Sequence, residues 1–209
     1  PVKALVDWGD VVHTGDGGRA RVALDDGSLL NVGSSSSLTV TQHNAAAQQT
    51  QIELEYGRVR SQVVKQAKPN SKFEMHTAVG VAGVVGTDFY LEYLNDIFQI
   101  VVFEGAVKFC NLDGACVTVG AGQISTIRNG HQAPDQPTQA TPSELTDAAV
   151  ATAVGVTMAG GVPVHHISPW WVVGLTVIAA VPAIAIPLAT RGGPGSTVLR
   201  GGCQNPKGC

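Results

Sequence analysis

The chain has 209 residues, of which 25 are glycine, 5% aromatic and only 14% charged, against a usual charged share of about a quarter. That length holds one ordinary domain plus an appendage, and the composition points to a turn-rich β protein with a separate apolar segment. The net charge of −3 is unevenly spread: no acid follows Asp147, whereas Arg191, Arg200 and Lys207 do, so the tail carries +3 and the body −6. An acidic body is poorly suited to meet phosphate, which excludes nucleic acid as a partner and favours membrane or protein contact.

From Val2 to about Arg128 the chain reads as short alternating runs separated by Gly, Asp, Asn and Ser. In "RARVALDD" Ala20, Val22 and Leu24 share one face; "SLLNVG" follows the Asp26-Gly27 turn and "SLTVTQ" follows a serine cluster. "IELEYGRVRSQV", "SKFEMHT", "FYLEYL", "FQIVVFEG", "AVKFC" and "VTVGAGQISTI" continue the pattern, and none of them has helical periodicity. Gly57, Gly105 and Gly122 interrupt strands that then resume, as turns or bulges do. Residues 1–128 are therefore predicted to form a compact, mainly β domain.

Residues 129–140, "NGHQAPDQPTQA", have linker composition. A small-residue helix is expected over 141–161, with Thr141 as cap, Pro142 in the first turn, Glu144 completing a capping box and Gly160-Gly161 as the stop. Residues 167–190 carry no charge and approach the about 20 residues that cross a bilayer. This segment, expected to be helical, presents Trp170, Trp171, Val172, Val173, Leu175, Val177, Ile178, Val181, Ile184, Ile186 and Leu188 either to lipid or to a neighbouring subunit. Pro182 and Pro187 disfavour one uninterrupted helix there. The tail, 191–209, is Gly- and Pro-rich and needs a contact to become ordered.

Two cysteine pairs, Cys110/Cys116 and Cys203/Cys209, have the same spacing, too wide for the usual zinc pair. In "FCNLDGACVTV" a turn at Asp113-Gly114 brings Cys110 opposite Cys116, so a disulfide is favoured over two free thiols. A persistent bridge places the domain outside the cytosol. No leader is visible at Pro1, so either export has already removed one or the domain is not exported. The tail pair raises a conflict. With the β domain outside and the tail inside, the positive tail is accommodated but its thiols stay reduced; with both outside, the apolar segment cannot span.

The blocks at 9–40, 54–63, 73–92, 101–110 and 117–127 resemble, in order, those of the FecR-type extracytoplasmic β domain. The resemblance covers about residues 5–128. It implies a small solenoid-like or roll-like β structure in which Gly86, Thr87, Asp88 and Phe89 form a turn between strands. Gly86 then takes a positive φ, Thr87 and Asp88 bond nearby backbone amides, and Phe89 re-enters the core. An arginine that family members often carry before the Gly-Thr is replaced by Val85. Members that relay iron-uptake signals have a cytoplasmic anti-sigma segment ahead of a membrane span and a further periplasmic subdomain; this sequence shows neither.

No enzymatic constellation is expected. His165-His166 reads as a polar hinge, Asp25-Asp26-Gly27 as a turn, "GDGGRA" lacks the lysine of a phosphate loop, and Glu53, Glu55 and Glu92 read as a solvated sheet face. No metal or cofactor is expected. The leading expectation is a non-enzymatic extracellular structural protein whose apolar segment associates with copies of itself, into a filament. The second is a membrane-anchored periplasmic binding or signalling module of FecR type.

Overall fold

The computed structural model describes residues 3–68, 70–154 and 197–200. Alternating apolar side chains turn to one side of each run, and the runs become strands. β1 (Lys3–Leu5), β2 (Val11–Thr14), β3 (Ala20–Ala23), β4 (Leu29–Val32) and β5 (Ser36–Asn44) come first. β6 (Gln49–Gln62), β7 (Lys72–Thr77), β8 (Gly80–Val84), β9 (Asp88–Leu94) and β10 (Ile97–Glu104) follow. β11 (Ala106–Asn111), β12 (Cys116–Gly120), β13 (Gln123–Ile127) and β14 (Thr138–Gln139) precede a single described helix, α1 (Pro142–Ala151). The last strand is β15 (Thr197–Arg200).

β6 is shared between two walls of a rolled sheet. Its first half pairs with β5 and β7, its second with β4 and β9. One wall runs β2-β5-β6-β7-β8-β11-β12, and the other β1-β15-β3-β4-β6-β9-β10-β13-β14. The strand turns between walls at Gly57, whose φ is +103°. There Ser36 packs against the glycine and its Oγ accepts the Arg58 backbone N–H at 2.9 Å. Register slips beside this point, between Ser37 and Leu38, as at a bulge.

The core fills the space between the walls. Phe73, Met75, Phe89, Leu91, Phe98, Ile100 and Phe109 are fully buried, and the Phe98 and Phe109 rings, one from each wall, lie 4.9 Å apart. The β domain is thus mainly β and roll-like. β9 and β10 are joined through Asn95 and Asp96, with φ of 51° and 59°, as a two-residue hairpin with a right-handed strand twist requires.

Residues 129–140, read from composition as a linker, run along the edge of β13. The Ser125 hydroxyl donates to the Asp135 carbonyl at 2.7 Å, and β14 pairs with β13. α1 begins at the Thr141 cap, with Glu144 completing the capping box. It ends at Ala151, well short of Gly160. The Thr152 hydroxyl donates to the Ala148 carbonyl at 3.2 Å and the Ala153 N–H turns back to the Val150 carbonyl, so the chain leaves the helix. Ala148 packs on Tyr90 and Val101, with Leu145 and Ala151 beside them, on the outer surface of the second wall.

The apolar segment from Trp170 to Leu188, and Cys203 and Cys209, lie outside the described residues. Among the described residues no helix is long and apolar enough to cross a membrane.

Candidate functional site

β6, β9 and β10 each turn one set of side chains into the core and the alternate set outward. Register places Arg60, Tyr90 and Val101 in one outward row and Arg58, Glu92 and Gln99 in the next. Arg60 reaches diagonally to Asp88, with Nε and Nη2 each donating to a carboxylate oxygen at 2.8 Å. Its guanidinium also lies 4.0 Å from the centre of the Phe103 ring, a cation–π stack. The Gln62 amide adds a third donor to Asp88 at 3.2 Å. Two arginines on one strand thus face two acids on the next.

Glu92 is the hub of the second row. It accepts from Arg58 Nη2 at 3.1 Å and from the Tyr90 hydroxyl at 2.6 Å. The Glu92 hydrogen bond holds the Arg58 guanidinium protonated beyond its ordinary range, against the opposing effect of burial. Burial first, and Glu92 second, push the Tyr90 phenol far up, so it remains a donor. These groups line a cleft of about 370 Å³, closed on its other side by Glu144, Asp147, Ala148 and Ala151 of α1. A second cleft of about 400 Å³ lies where Asp88 meets Lys65, Gly86 and Glu104.

The Gly86–Phe89 motif sits at the edge of this face. Gly86 has φ +79°, and a Cβ there would come within 2.6 Å of the Lys65 Cα, so both backbone shape and space demand glycine. Phe89 enters the core. Thr87 and Asp88 differ from expectation. The Thr87 hydroxyl donates to the Ala106 carbonyl at 3.2 Å, and Asp88 takes the Arg60 guanidinium rather than a nearby amide. Val85, at the position of the family arginine, is 58% exposed.

The remaining candidates are scattered. Cys110 and Cys116 are bridged and join β11 to β12 on the other wall. The Asp26 carboxylate caps its own turn, accepting the Ser28 N–H at 2.8 Å, while Asp25 pairs with His43, whose Nδ1 meets Thr50 at 2.9 Å. Glu92, expected on a solvated face, is instead paired. Sequence reasoning passed over Arg58, Arg60 and Tyr90. The available signal was the alternation in "GRVR" and "DFYLEY", which puts like-facing charges two residues apart. Arg58, Arg60, Asp88 and Glu92 are each committed to a neighbour on this face.

Residues 10–108, a little under half of the chain, match the family described as FecR protein. Two crystal structures of a candidate anti-sigma factor from Parabacteroides distasonis ATCC 8503, at 2.50 and 1.65 Å resolution, share the fold. Each has a TM-score of 0.54 and 14% identity over 66% of this chain. The chain spans 62% and 63% of the length of those two structures. No curated protein matches the sequence.

These matches overturn the expectation of a structural subunit that polymerises with copies of itself. The match is to the FecR protein family, and both structural neighbours are described as an anti-sigma factor rather than as a filament subunit. Physically, that expectation rested on the apolar segment and tail, whereas the face over the family motif is charged and ordered by arginine–carboxylate pairs.

Proposed function

We propose that residues 10–108, which match the FecR protein family, are a FecR-type domain and that the chain is a binding and signalling module of the bacterial envelope. Its β domain lies outside the cytoplasm and its charge-free stretch, 167–190, attaches it to the membrane. The family match over the folded β domain carries this reading. The Cys110–Cys116 bridge supports the compartment, because such bonds persist where glutathione does not reduce them. The partner is a protein that meets the Arg58–Glu92 and Arg60–Asp88 face and its two clefts. The pathway ends at a sigma factor, by analogy with the description of the structural neighbours. The role is regulatory rather than catalytic.

Fractionation of producing cells, with transcript sequencing of a strain lacking the chain, tests this. Recovery in membranes, release by detergent but not by salt, and altered transcripts sharing one promoter element are expected. Recovery in the soluble fraction, or an unchanged transcript profile, overturns the reading.

A further inference from the structure

β15 lies between β1 and β3, parallel to both, with Val198 opposite Lys3 on one side and Arg21 on the other. Among the described residues β1 has no other sheet partner. A strand paired along both edges has defined register, unlike a loose edge contact. It belongs to the same compact unit as the rest of the β domain.

The other end of the intervening stretch is fastened to the same wall. Just before β3, Arg19 donates from Nη1 to the Ala153 carbonyl at 2.8 Å. Ala148 is buried against Tyr90 and Val101 one turn earlier. A guanidinium at a helix C-terminus also complements the negative end of the helix dipole. Residues on both sides of the charge-free stretch are therefore tied to one sheet.

A single bilayer crossing between Ala153 and Thr197 would separate them by about 30 Å of hydrocarbon. β15 could not then reach β3. Two crossings would return the chain to the side it left, and leave β15 within reach of β3. We propose that Thr197–Arg200 occupies a strand slot in the β domain's own sheet, so that both flanks of the apolar stretch remain on the β-domain side of the membrane. This rests on the membrane attachment proposed above.

Cys203 and Cys209 then share the compartment of the Cys110–Cys116 bridge. The conflict between the tail cysteines and a spanning segment disappears. Arg191, Arg200 and Lys207 stand on the side opposite to that favoured for the cytoplasmic flank of a span.

The test uses the full chain with Cys203 and Cys209 replaced by serine and one cysteine introduced, Leu5→Cys or Arg200→Cys. These positions are register partners, and Leu5 is exposed. Spheroplasts are treated with a membrane-impermeant maleimide before and after lysis. Equal labelling of the two variants before lysis is expected. Labelling of Leu5→Cys before lysis with loss of labelling of Arg200→Cys until after it overturns the proposal. If both are reached only after lysis, the envelope location falls, while equal access still supports the shared side. The double variant is then treated with a short bis-maleimide, which is expected to join the two positions within one chain. Failure to cross-link in protein whose single variants both react overturns the slot itself.

Discussion

Arg60 holds both oxygens of Asp88 and lies over Phe103, with its side chain 23% exposed and that of Asp88 18%. This exposure lies below that of a free surface pair, whose removal commonly costs less than about 1 kcal/mol. Arg60→Ala or Asp88→Ala is expected to lower stability by about 1.5–3 kcal/mol, the usual range for hydrogen bonds to charged groups. Urea unfolding of both single variants and the double variant measures the coupling. Additive losses would show that the pair acts only as two separate packing groups. Alternation alone places Arg58 and Arg60 on one face, so that part of the site is legible in "GRVR". Which acids face them depends on the β6–β9 register, fixed by Phe89 and Leu91 seeking the core and invisible in either segment by itself.

Glu74 gives a pH prediction of the same local kind. Burial opposes its ionisation, but hydrogen bonds from Lys72 and His76 outweigh that effect and hold its carboxyl below the ordinary 4.5. A folded-state value below the unfolded one means a contribution complete above the unfolded value and lost as pH falls through the folded one. Wild-type stability should decline as pH drops below about 4.5, and Glu74→Gln should flatten that decline in denaturant titrations. An unchanged acid limb would remove Glu74 from the account.

At the scale of elements, β6 works only because it bends. At Gly57 a Cβ would collide with Ser36, and φ of +103° is unfavourable for any side chain. Gly57→Ala should cost at least about 1–3 kcal/mol, the range for one strained backbone residue, with the collision adding to it. A thermal melt at wild-type temperature would show the bend to be more pliable than its packing implies. Gly57 is recognisable in the sequence as an interruption; that it joins two walls is not, because a break looks alike in a turn and in a shared strand. The β11–β12 hairpin depends less on its bridge. Replacing Cys110 and Cys116 with serine closes no loop in the unfolded chain and should cost about 2 kcal/mol. Calorimetry with and without reductant reads that difference, and equal melts would make the bond thermodynamically idle. The α1 start is the best-marked boundary in the sequence, since Thr141 and Glu144 satisfy its end from local residues alone. Its end is closed by local bonds at Thr152 and by the Arg19 guanidinium on the Ala153 carbonyl, a partner that the local sequence does not announce.

For the molecule as a whole, the sheet joins strands that sequence order keeps far apart. Deleting residues 196–209 should leave β1 without a partner and open the edge of β3. Hydrogen exchange is expected to rise at Lys3–Leu5 and Ala20–Ala23 and to stay unchanged at the β9 and β10 core. Unaltered exchange at β1 would mean that other contacts hold it. The mainly β class follows from short period-two runs, and the FecR likeness from their order. The insertion of β15 between β1 and β3 has no sequence signal, because "STVLR" is one brief apolar run in a Gly-rich tail.

The pairing of β1 with β15 also orders events in time. Lys3 meets Val198 only after all of the chain between them has emerged from the ribosome or the export channel. Contacts of such sequence separation form slowly, because the closing loop must first lose its freedom. β1 therefore waits for β15 before it can find its place, and until then the edge of β3 is exposed to any passing strand. A nascent chain of this kind is most vulnerable to mispairing late in its export, and there a holding chaperone would have its largest effect on yield.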